Sequence, residues 1–160
     1  MHVALHYDGL AKELLHHAKY ERARSGLAEM AELLAPLLAH LPKDAVLVPV
    51  PTATRRVRQR GYDQAEVLAR ILAGSQNVLC ESFLARTSQA HQVGSGKAER
   101  LRHLEGAFRI IHANRLQGKH IILVDDVLTS GATLETAGRL LKKAGAKQVD
   151  AIVFAQAGMG

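Results

Sequence analysis

Two adjacent carboxylates, Asp125 and Asp126, follow the apolar run Ile121–Val124 and precede a group of small, hydroxyl-rich residues. The apolar run predicts a central buried strand, and neighbouring side chains on a strand point to opposite faces. Two acids are costly to bury inside a sheet, so we expect them at the carboxyl end of this strand. There they can accept hydrogen bonds from sugar hydroxyls or help to hold a hydrated Mg²⁺. The pair indicates a site for a ribose-like ligand.

The next segment, Thr129–Thr133 (TSGAT), has the composition of a phosphate-binding turn. It leads into a predicted helix, whose first backbone N–H groups and positive dipole end attract anions. Gly131 lets the backbone approach a phosphate closely and can adopt a positive φ. The same spacing also suits an ordinary strand-to-helix turn with an N-cap, so the residues by themselves leave both interpretations open.

The elements that must position these residues alternate between apolar strands and amphipathic helices. Strands are predicted at Val46–Val50, His120–Asp125 and Gln148–Ala155. Helices are predicted around Leu10–Ala18 and Leu27–Leu38, at Asp63–Ala73 with Gly74 as its stop, near Lys97–Leu104, and at Thr133–Ala144 with Gly145 as its cap. Arg86–Gly96 lacks apolar periodicity and is predicted to be a loop. The alternation predicts an α/β fold with a mostly parallel central sheet, helices on both faces and ligands beyond the carboxyl ends of the strands.

Composition narrows the class of protein. The chain has 160 residues, is 48% hydrophobic and shows no linker-like segment, which favours one domain over residues 1–160. No apolar run approaches the length of a membrane span, and the opening residues do not resemble a secretion signal. The lone Cys80 cannot form an internal disulfide and is expected to be a small buried apolar residue, so a reducing, cytoplasmic location is predicted.

The formal net charge of +6 implies anionic partners. The sequence contains an arginine cluster that could neutralise a pyrophosphate, follow a nucleic acid backbone, or be a solvated face: Arg55, Arg56, Arg58 and Arg60. Charge alone does not separate these alternatives. Aromatic residues make up only 4% of the chain and tryptophan is absent, which argues against an aromatic base-stacking platform.

Other candidate motifs fail on spacing. Gly94–Lys97 (GSGK) lacks the first glycine of a nucleotide P-loop and is followed by Ala98 instead of Ser or Thr. The pairs His2 and His6, and His16 and His17, lack further ligands at a zinc spacing. No catalytic triad or nucleophilic cysteine can be identified from the sequence.

Ile121–Thr133 (IILVDDVLTSGAT) closely resembles the phosphoribosyl diphosphate (PRPP) signature of type I phosphoribosyltransferases, in which an apolar strand, two acids and a Thr/Ser-Gly turn follow one another. Other segments are similar to the ComF family of competence-associated phosphoribosyltransferase-like proteins, and the similarity extends from about Tyr7 to the end of the chain. These segments are LLHHAKY (Leu14–Tyr20), VPVP with RGYDQAE (Val48–Pro51 and Arg60–Glu66) and QVGSGKAERLRHLEGAF (Gln92–Phe108).

The resemblance implies a type I fold, with a five-stranded parallel core and PRPP bound with Mg²⁺ over its carboxyl edge. It implies that Asp125 and Asp126 contact the ribose, directly or through Mg²⁺-bound water. The residues implied to bind PRPP with them are Val127, Leu128, Thr129, Ser130, Gly131, Ala132 and Thr133. A loop facing the pyrophosphate is formed by Pro51, Thr52, Ala53 and Thr54, with Arg60 beside it. Lys19, Gln92, Arg100 and His103 also occupy family-like motifs.

Two departures from the family pattern bear on function. His103 stands where the family commonly has Asn, and many members carry an amino-terminal four-Cys zinc ribbon that has no counterpart in this sequence. Two functions therefore remain open. One is a phosphoribosyltransferase that releases pyrophosphate as an unidentified nucleophile attacks the ribose. The other is a catalytically silent transferase fold that binds single-stranded DNA or competence proteins during DNA uptake.

Overall fold

The computed structural model describes residues 2–6, 13, 15, 23–39, 41–42, 44–87 and 106–157. Its strands are β1 (His2–His6), β2 (Val46–Pro49), β3 (Leu79–Cys80), β4 (Leu84–Arg86), β5 (Phe108–Ile110), β6 (His120–Leu128) and β7 (Gln148–Gln156). Its helices are α1 (Ala23–Leu38), α2 (Thr54–Arg60), α3 (Gln64–Gln76), α4 (Ala113–Leu116) and α5 (Ala132–Lys143). Of the first predicted helix, only Glu13 and Leu15 are described, and both are helical.

Five strands form one sheet in the order β1-β7-β6-β2-β3, and every neighbouring pair is parallel. β6 therefore lies at the centre, between β2 and β7. The buried residues of β6 alternate between two cores, as the pleat of a strand requires. Ile122 and Val124 pack with α1 and α3, whereas Ile121 and Leu123 pack with α5 on the other face. The predicted α/β fold with a mostly parallel sheet and helices on both faces is confirmed.

Several local predictions need correction. Gly74 does not stop its helix but lies inside α3, which ends at Gln76 and is capped by Asn77 in a left-handed conformation (φ 51°). β6 continues to Leu128, three residues beyond the predicted end, so both acids lie within the hydrogen-bonded strand. Cys80 is only partly buried, because β3 forms the edge of the sheet.

Other elements had no counterpart in the predictions. β4 and β5 form an antiparallel hairpin in which Arg86 is paired with Phe108, so Arg86 ends a strand instead of opening a loop. The arginine cluster lies on the short helix α2, none of whose residues is buried. The predicted helix near Lys97–Leu104 and the remainder of the predicted loop, from residue 88 to Gly96, lie outside the described residues.

Candidate functional site

The carboxyl end of β2 lies beside the middle of β6, where the acid pair begins. Pro49 is aligned with Val124, and the Val50 N–H donates a hydrogen bond to the Val124 carbonyl at 3.0 Å. The loop Pro51–Thr54 therefore begins beside Asp125. Parallel pairing brings these segments together although more than seventy positions separate them in the sequence. The predicted ribose residues and the predicted pyrophosphate loop share one edge of the sheet.

Asp125 and Asp126 are both partly buried at this edge. The Asp125 carboxylate accepts a hydrogen bond from the Asp126 N–H at 2.8 Å, and Asp126 accepts one from the Val127 N–H at 2.8 Å. Burial, together with the negative charges of Asp126 and Asp63, raises the pKa of Asp125 well above its ordinary value. The free protein thus holds a desolvated acidic group, which hydroxyl donors or a hydrated cation would stabilise.

The turn after β6 presents an uncapped helix end. Gly131 is the N-cap of α5 and adopts a left-handed conformation (φ 77°), and no side chain caps this end. Thr129 and Ser130 are exposed, while the buried Leu128 anchors the start of the turn through the hydrogen bond from Ala157 N to its carbonyl, 2.9 Å long. The turn is therefore not an ordinary turn with a side-chain N-cap. Its backbone N–H groups and hydroxyls suit an anion.

Asp63, which was not predicted as a site residue, fixes the loop Pro51–Thr54. Its carboxylate accepts hydrogen bonds from Thr52 N and Thr52 Oγ1, both at 2.8 Å. The same carboxylate caps α3 by accepting from Ala65 N at 3.1 Å and from Glu66 N at 3.4 Å. An Asp immediately before a helical apolar pattern is a recognisable N-cap signal, but its bonds to Thr52 depend on tertiary structure.

Arg60, the last residue of α2, and Tyr62, which follows two residues later, lie where α2 leads into α3. The Arg60 guanidinium donates to Gln64 Oε1 at 2.7 Å, and Gln64 is fully buried at the start of α3. Burial raises the pKa of Tyr62, with Asp126 raising it further and Arg60 opposing the rise. Tyr62 is therefore within electrostatic reach of both Arg60 and Asp126. Tyr62 belongs to the RGYDQ motif, but its electrostatic relation to Asp126 was not predicted.

A second arginine that sequence reasoning missed, Arg86, reaches the site from the β4–β5 hairpin. Its guanidinium lies over the Phe108 ring, 5.2 Å from the centroid. Burial and the nearby Arg56 lower the pKa of Arg86, and Asp125 and Asp63 oppose that effect. A cation–π contact is visible only once the hairpin register is known, because the sequence places Arg86 and Phe108 far apart.

Four of the predicted site residues have no described position relative to this site. Lys19, Gln92, Arg100 and His103 lie outside the described residues. Within the described ranges, no cluster of three His, Cys, Asp or Glu side chains could hold a metal ion by itself. In that same part of the chain, no helix is both long and apolar enough to cross a membrane.

A groove of about 500 Å³ runs along α5 beside β7, but it is not this site. Its lining includes Gly131 and then continues over Leu134, Gly138 and Ala151. The acids, the loop and Arg86 do not line it. The candidate site is thus the group of polar residues near the carboxyl ends of β2 and β6, and not a deep cavity.

The all-parallel order of the five-stranded sheet, with helices on both faces, defines an α/β protein whose acid pair lies near the carboxyl ends of the strands. Residues 19–160 match the family described as phosphoribosyl transferase domain, and the chain belongs to that family. The expected ComF similarity is also confirmed, by 37% identity over 103 residues to competence protein ComFC of Bacillus subtilis, covering 64% of this chain and 40% of that protein.

Another relative is the DNA utilization protein YhgH of Salmonella typhi, which is 33% identical over 144 residues, covering 85% of this chain and 63% of that protein. This chain thus spans less than two thirds of the length of these relatives. Among solved structures, glutamine PRPP amidotransferase from B. subtilis superposes with a TM-score of 0.61 at 17% identity, over 88% of this chain and 30% of that one. That similarity shows the shared fold.

Proposed function

We propose that this chain is a phosphoribosyltransferase of the ComF type that binds PRPP with Mg²⁺ and transfers phosphoribose to a nucleophile, releasing pyrophosphate. One observation carries the proposal: Asp125 and Asp126 stand at the edge where an uncapped helix end and the Asp63-anchored loop converge. Acids for the ribose hydroxyls therefore lie between two places suited to phosphates. We also propose that residues 1–160 act as one domain in a reducing, cytoplasmic compartment.

The proposed division of labour follows from the local chemistry. Thr129–Thr133 binds the 5-phosphate through backbone N–H groups and hydroxyls, and Asp125 and Asp126 accept hydrogen bonds from the ribose. Pro51–Thr54 and Arg60 face the pyrophosphate. Asp125 and Asp126 would hold Mg²⁺ through its bound waters, and the cation would neutralise charge on the pyrophosphate.

Catalysis in this proposal rests on charge. As the bond from ribose C1 to pyrophosphate lengthens, positive charge grows on the ribose and negative charge on the leaving group. The acids stabilise the first, and Arg60 with the backbone donors of the loop stabilises the second. The nucleophile then forms its bond to C1 and loses its proton to solvent or to a basic group of its own.

Ligand-induced stabilisation tests the proposal. We expect millimolar PRPP with Mg²⁺ to raise the melting temperature, because a ligand that binds only the folded state stabilises it. Asp125→Ala combined with Asp126→Ala should abolish the shift, whereas Asp44→Ala, at an exposed position before β2, should keep it. An unmodified protein that shows no shift would contradict PRPP binding.

A second candidate function is the binding of single-stranded DNA or a competence protein without catalysis. It is favoured by three exposed arginines of α2 that form no side-chain ion pair within the described residues: Arg55, Arg56 and Arg58. It is also favoured by the similarity to a DNA utilization protein and a competence protein. Pyrophosphate release with a panel of acceptors, measured beside DNA binding at two salt concentrations, separates the two. If no pyrophosphate is released and DNA binding weakens steeply with salt, the chain is a non-catalytic DNA-binding protein.

A further inference from the structure

A side-chain hydrogen bond between Arg60 and Gln64 joins the end of α2 to the start of α3. Arg60 Nη1 donates to Gln64 Oε1, and the two atoms are 2.7 Å apart. The chain turns between the two helices at Gly61, whose φ is 80°. Arg60 is partly exposed and forms no ion pair within the described residues. Among those residues, the amide oxygen of Gln64 is therefore the acceptor that orients the Arg60 guanidinium.

Gln64 is an unusual residue for a buried position. Its exposed fraction is 0%, and its Nε2 has no hydrogen-bond partner in the described part of the chain. A glutamine amide presents an acceptor oxygen on one side and a donor nitrogen on the other. Exchanging the two would place Nε2 against the donating Arg60 Nη1, and two donors repel each other. The bond to Arg60 therefore fixes the orientation of the amide and leaves Nε2 unpaired.

An unpaired buried donor lowers stability, because the amide loses its hydrogen bonds to water and gains none in the folded protein. An apolar side chain of similar length would avoid this loss. Such a side chain would suit the surroundings, since Leu68, one turn further along α3, belongs to the apolar core. Packing thus does not account for a glutamine at position 64, whereas the hydrogen bond to Arg60 does.

The start of α3 fixes two neighbouring segments through consecutive side chains. Asp63 holds Thr52, and with it the loop after β2, by two hydrogen bonds. Gln64 holds Arg60 at the end of α2. α3 itself packs against α1, β2 and β6, so both contacts are fixed relative to the sheet that carries the acid pair.

We propose that Gln64 is a positioning residue: it holds the Arg60 guanidinium in one orientation before a ligand binds, at the expense of the stability of the free protein. The inference rests on the proposed function for the ligand that Arg60 meets, which is PRPP with Mg²⁺. A long side chain loses conformational freedom when it binds a ligand, and orienting it in advance reduces this loss. Gln64 is fully buried and acts only through Arg60.

Gln64→Met tests the inference, because methionine has a similar length but offers neither the acceptor for Arg60 nor an unpaired donor. Gln76→Met is the matched control, since it makes the same change at an exposed position of the same helix. We expect Gln64→Met to keep or raise the melting temperature of the free protein. The same variant should weaken the binding of PRPP with Mg²⁺ about fivefold by calorimetry, and Gln76→Met should change it less than about twofold.

A double-mutant cycle with Arg60→Met separates positioning from a general structural role. If Gln64 acts through Arg60, Gln64→Met should change the affinity less than about twofold in the Arg60→Met background. Gln64→Glu keeps an acceptor for Arg60 and should recover most of the affinity that Gln64→Met loses. The inference is overturned if Gln64→Met binds as tightly as Gln76→Met, or if it weakens binding equally with and without Arg60. A lower melting temperature for Gln64→Met than for Gln76→Met would contradict the cost to stability.

The orientation of Arg60 can also be measured without a ligand and without any change to Gln64. The Arg60 Nε–Hε signal in NMR spectra is assigned by its absence from Arg60→Met, and its heteronuclear NOE reports motion of the side chain. We expect an ordered Arg60 in the unmodified free protein and a mobile one in Gln64→Met. A mobile Arg60 in the unmodified protein would overturn the inference.

Failure of this inference is distinguishable from failure of the proposed function. If PRPP with Mg²⁺ binds but neither its affinity nor the motion of Arg60 depends on Gln64, the transferase proposal stands and Gln64 is not a positioning residue. If Arg60 is ordered by Gln64 but PRPP with Mg²⁺ does not bind, the positioning contact stands and the proposed function is wrong.

Discussion

The charged form of Asp125 lowers the stability of the free protein. A ligand that donates hydrogen bonds to this carboxylate, or a cation, would reduce that loss of stability. Burial and two neighbouring carboxylates raise the pKa of Asp125, so at neutral pH its charged form is destabilised by folding. An acid whose pKa is raised in the folded state contributes stability at low pH, and this contribution is lost as the pH rises through the folded pKa. Carboxyl groups with a raised pKa are common at binding sites, because a ligand can require a charged group that lowers the stability of the free protein.

Asp125→Asn should therefore stabilise the free protein. Asparagine keeps an oxygen that can accept the hydrogen bond from Asp126 N, and it removes the buried charge. At pH 7 we expect a melting temperature at least about 2 °C higher, which corresponds to roughly 1 kcal/mol for a chain of this size. The gain should shrink as the pH falls toward about 4, where the unfolded-state carboxyl takes up its proton.

Scanning calorimetry of both proteins between pH 4 and pH 8 measures this effect. The same variant should lose the stabilisation by PRPP with Mg²⁺, because the ligand no longer meets a carboxylate. A lower melting temperature at pH 7, or a difference that does not vary with pH, would contradict the electrostatic account of Asp125.

Gly131 offers a second prediction for a single residue. Its φ of 77° is unfavourable for a side chain, although an added Cβ would meet only Leu128 Cδ1 at 3.7 Å. Gly131→Ala should therefore cost about 1–2 kcal/mol through backbone strain and not through a clash. The matched control is Gly74→Ala inside α3, where nothing lies within 4 Å of the new Cβ and stability should rise by roughly 0.5–1 kcal/mol.

Urea denaturation of the two glycine variants checks these opposite signs. If Gly131→Ala proves as stable as the unmodified protein, the left-handed turn is not required. The two substitutions add the same methyl group, so a difference between them reports backbone conformation alone.

At the level of elements, the start of α3 and the loop after β2 depend on each other. Asp63 caps α3 and holds Thr52 with the same carboxylate. The loop is consequently positioned by a helix that follows it in the chain, and not only by the strand that precedes it. Any change that frees this helix end also frees the loop proposed to face the pyrophosphate.

Asp63→Ala should destabilise the protein by roughly 2–3 kcal/mol, since it removes an N-cap and two further hydrogen bonds. Asp63→Asn keeps one acceptor oxygen, so it can cap α3 but cannot accept both hydrogen bonds from Thr52. We expect it to recover most of the stability and little of the pyrophosphate affinity. Thermal unfolding and pyrophosphate titration measure the two effects, and full recovery of both would show that Thr52 is not held through Asp63.

Elements differ in how far the sequence predicts them. α1 and α5 carry apolar residues at the helical period, and β6 carries the continuous apolar run of a strand that is buried on both faces, so packing and pattern agree. β1 and the β4–β5 hairpin are too short to show a period, and α2 has no buried residue and only one apolar residue, Val57. The helix that continues past Gly74 shows that tertiary contacts outweigh the local preference of one glycine.

Across the whole molecule, the candidate site is assembled from segments far apart in the chain. The acid pair and the turn could be predicted because they are contiguous and have a recognisable composition. Asp63, Tyr62 and Arg86 could not, because their relation to Asp125 and Asp126 arises from strand order and hairpin register. The fold thus brings together, at the candidate site, charges that no contiguous motif contains.

The position of β1 governs the order in which this molecule can form. His2 is aligned with Ile152 of β7, so the first described strand pairs with the last. Contacts between such distant positions form slowly, because the long intervening loop must close first. During synthesis, every residue from β1 to β7 must leave the ribosome before these two strands can pair. β1 therefore waits with its edge unpaired, and during this interval the nascent chain is exposed to aggregation.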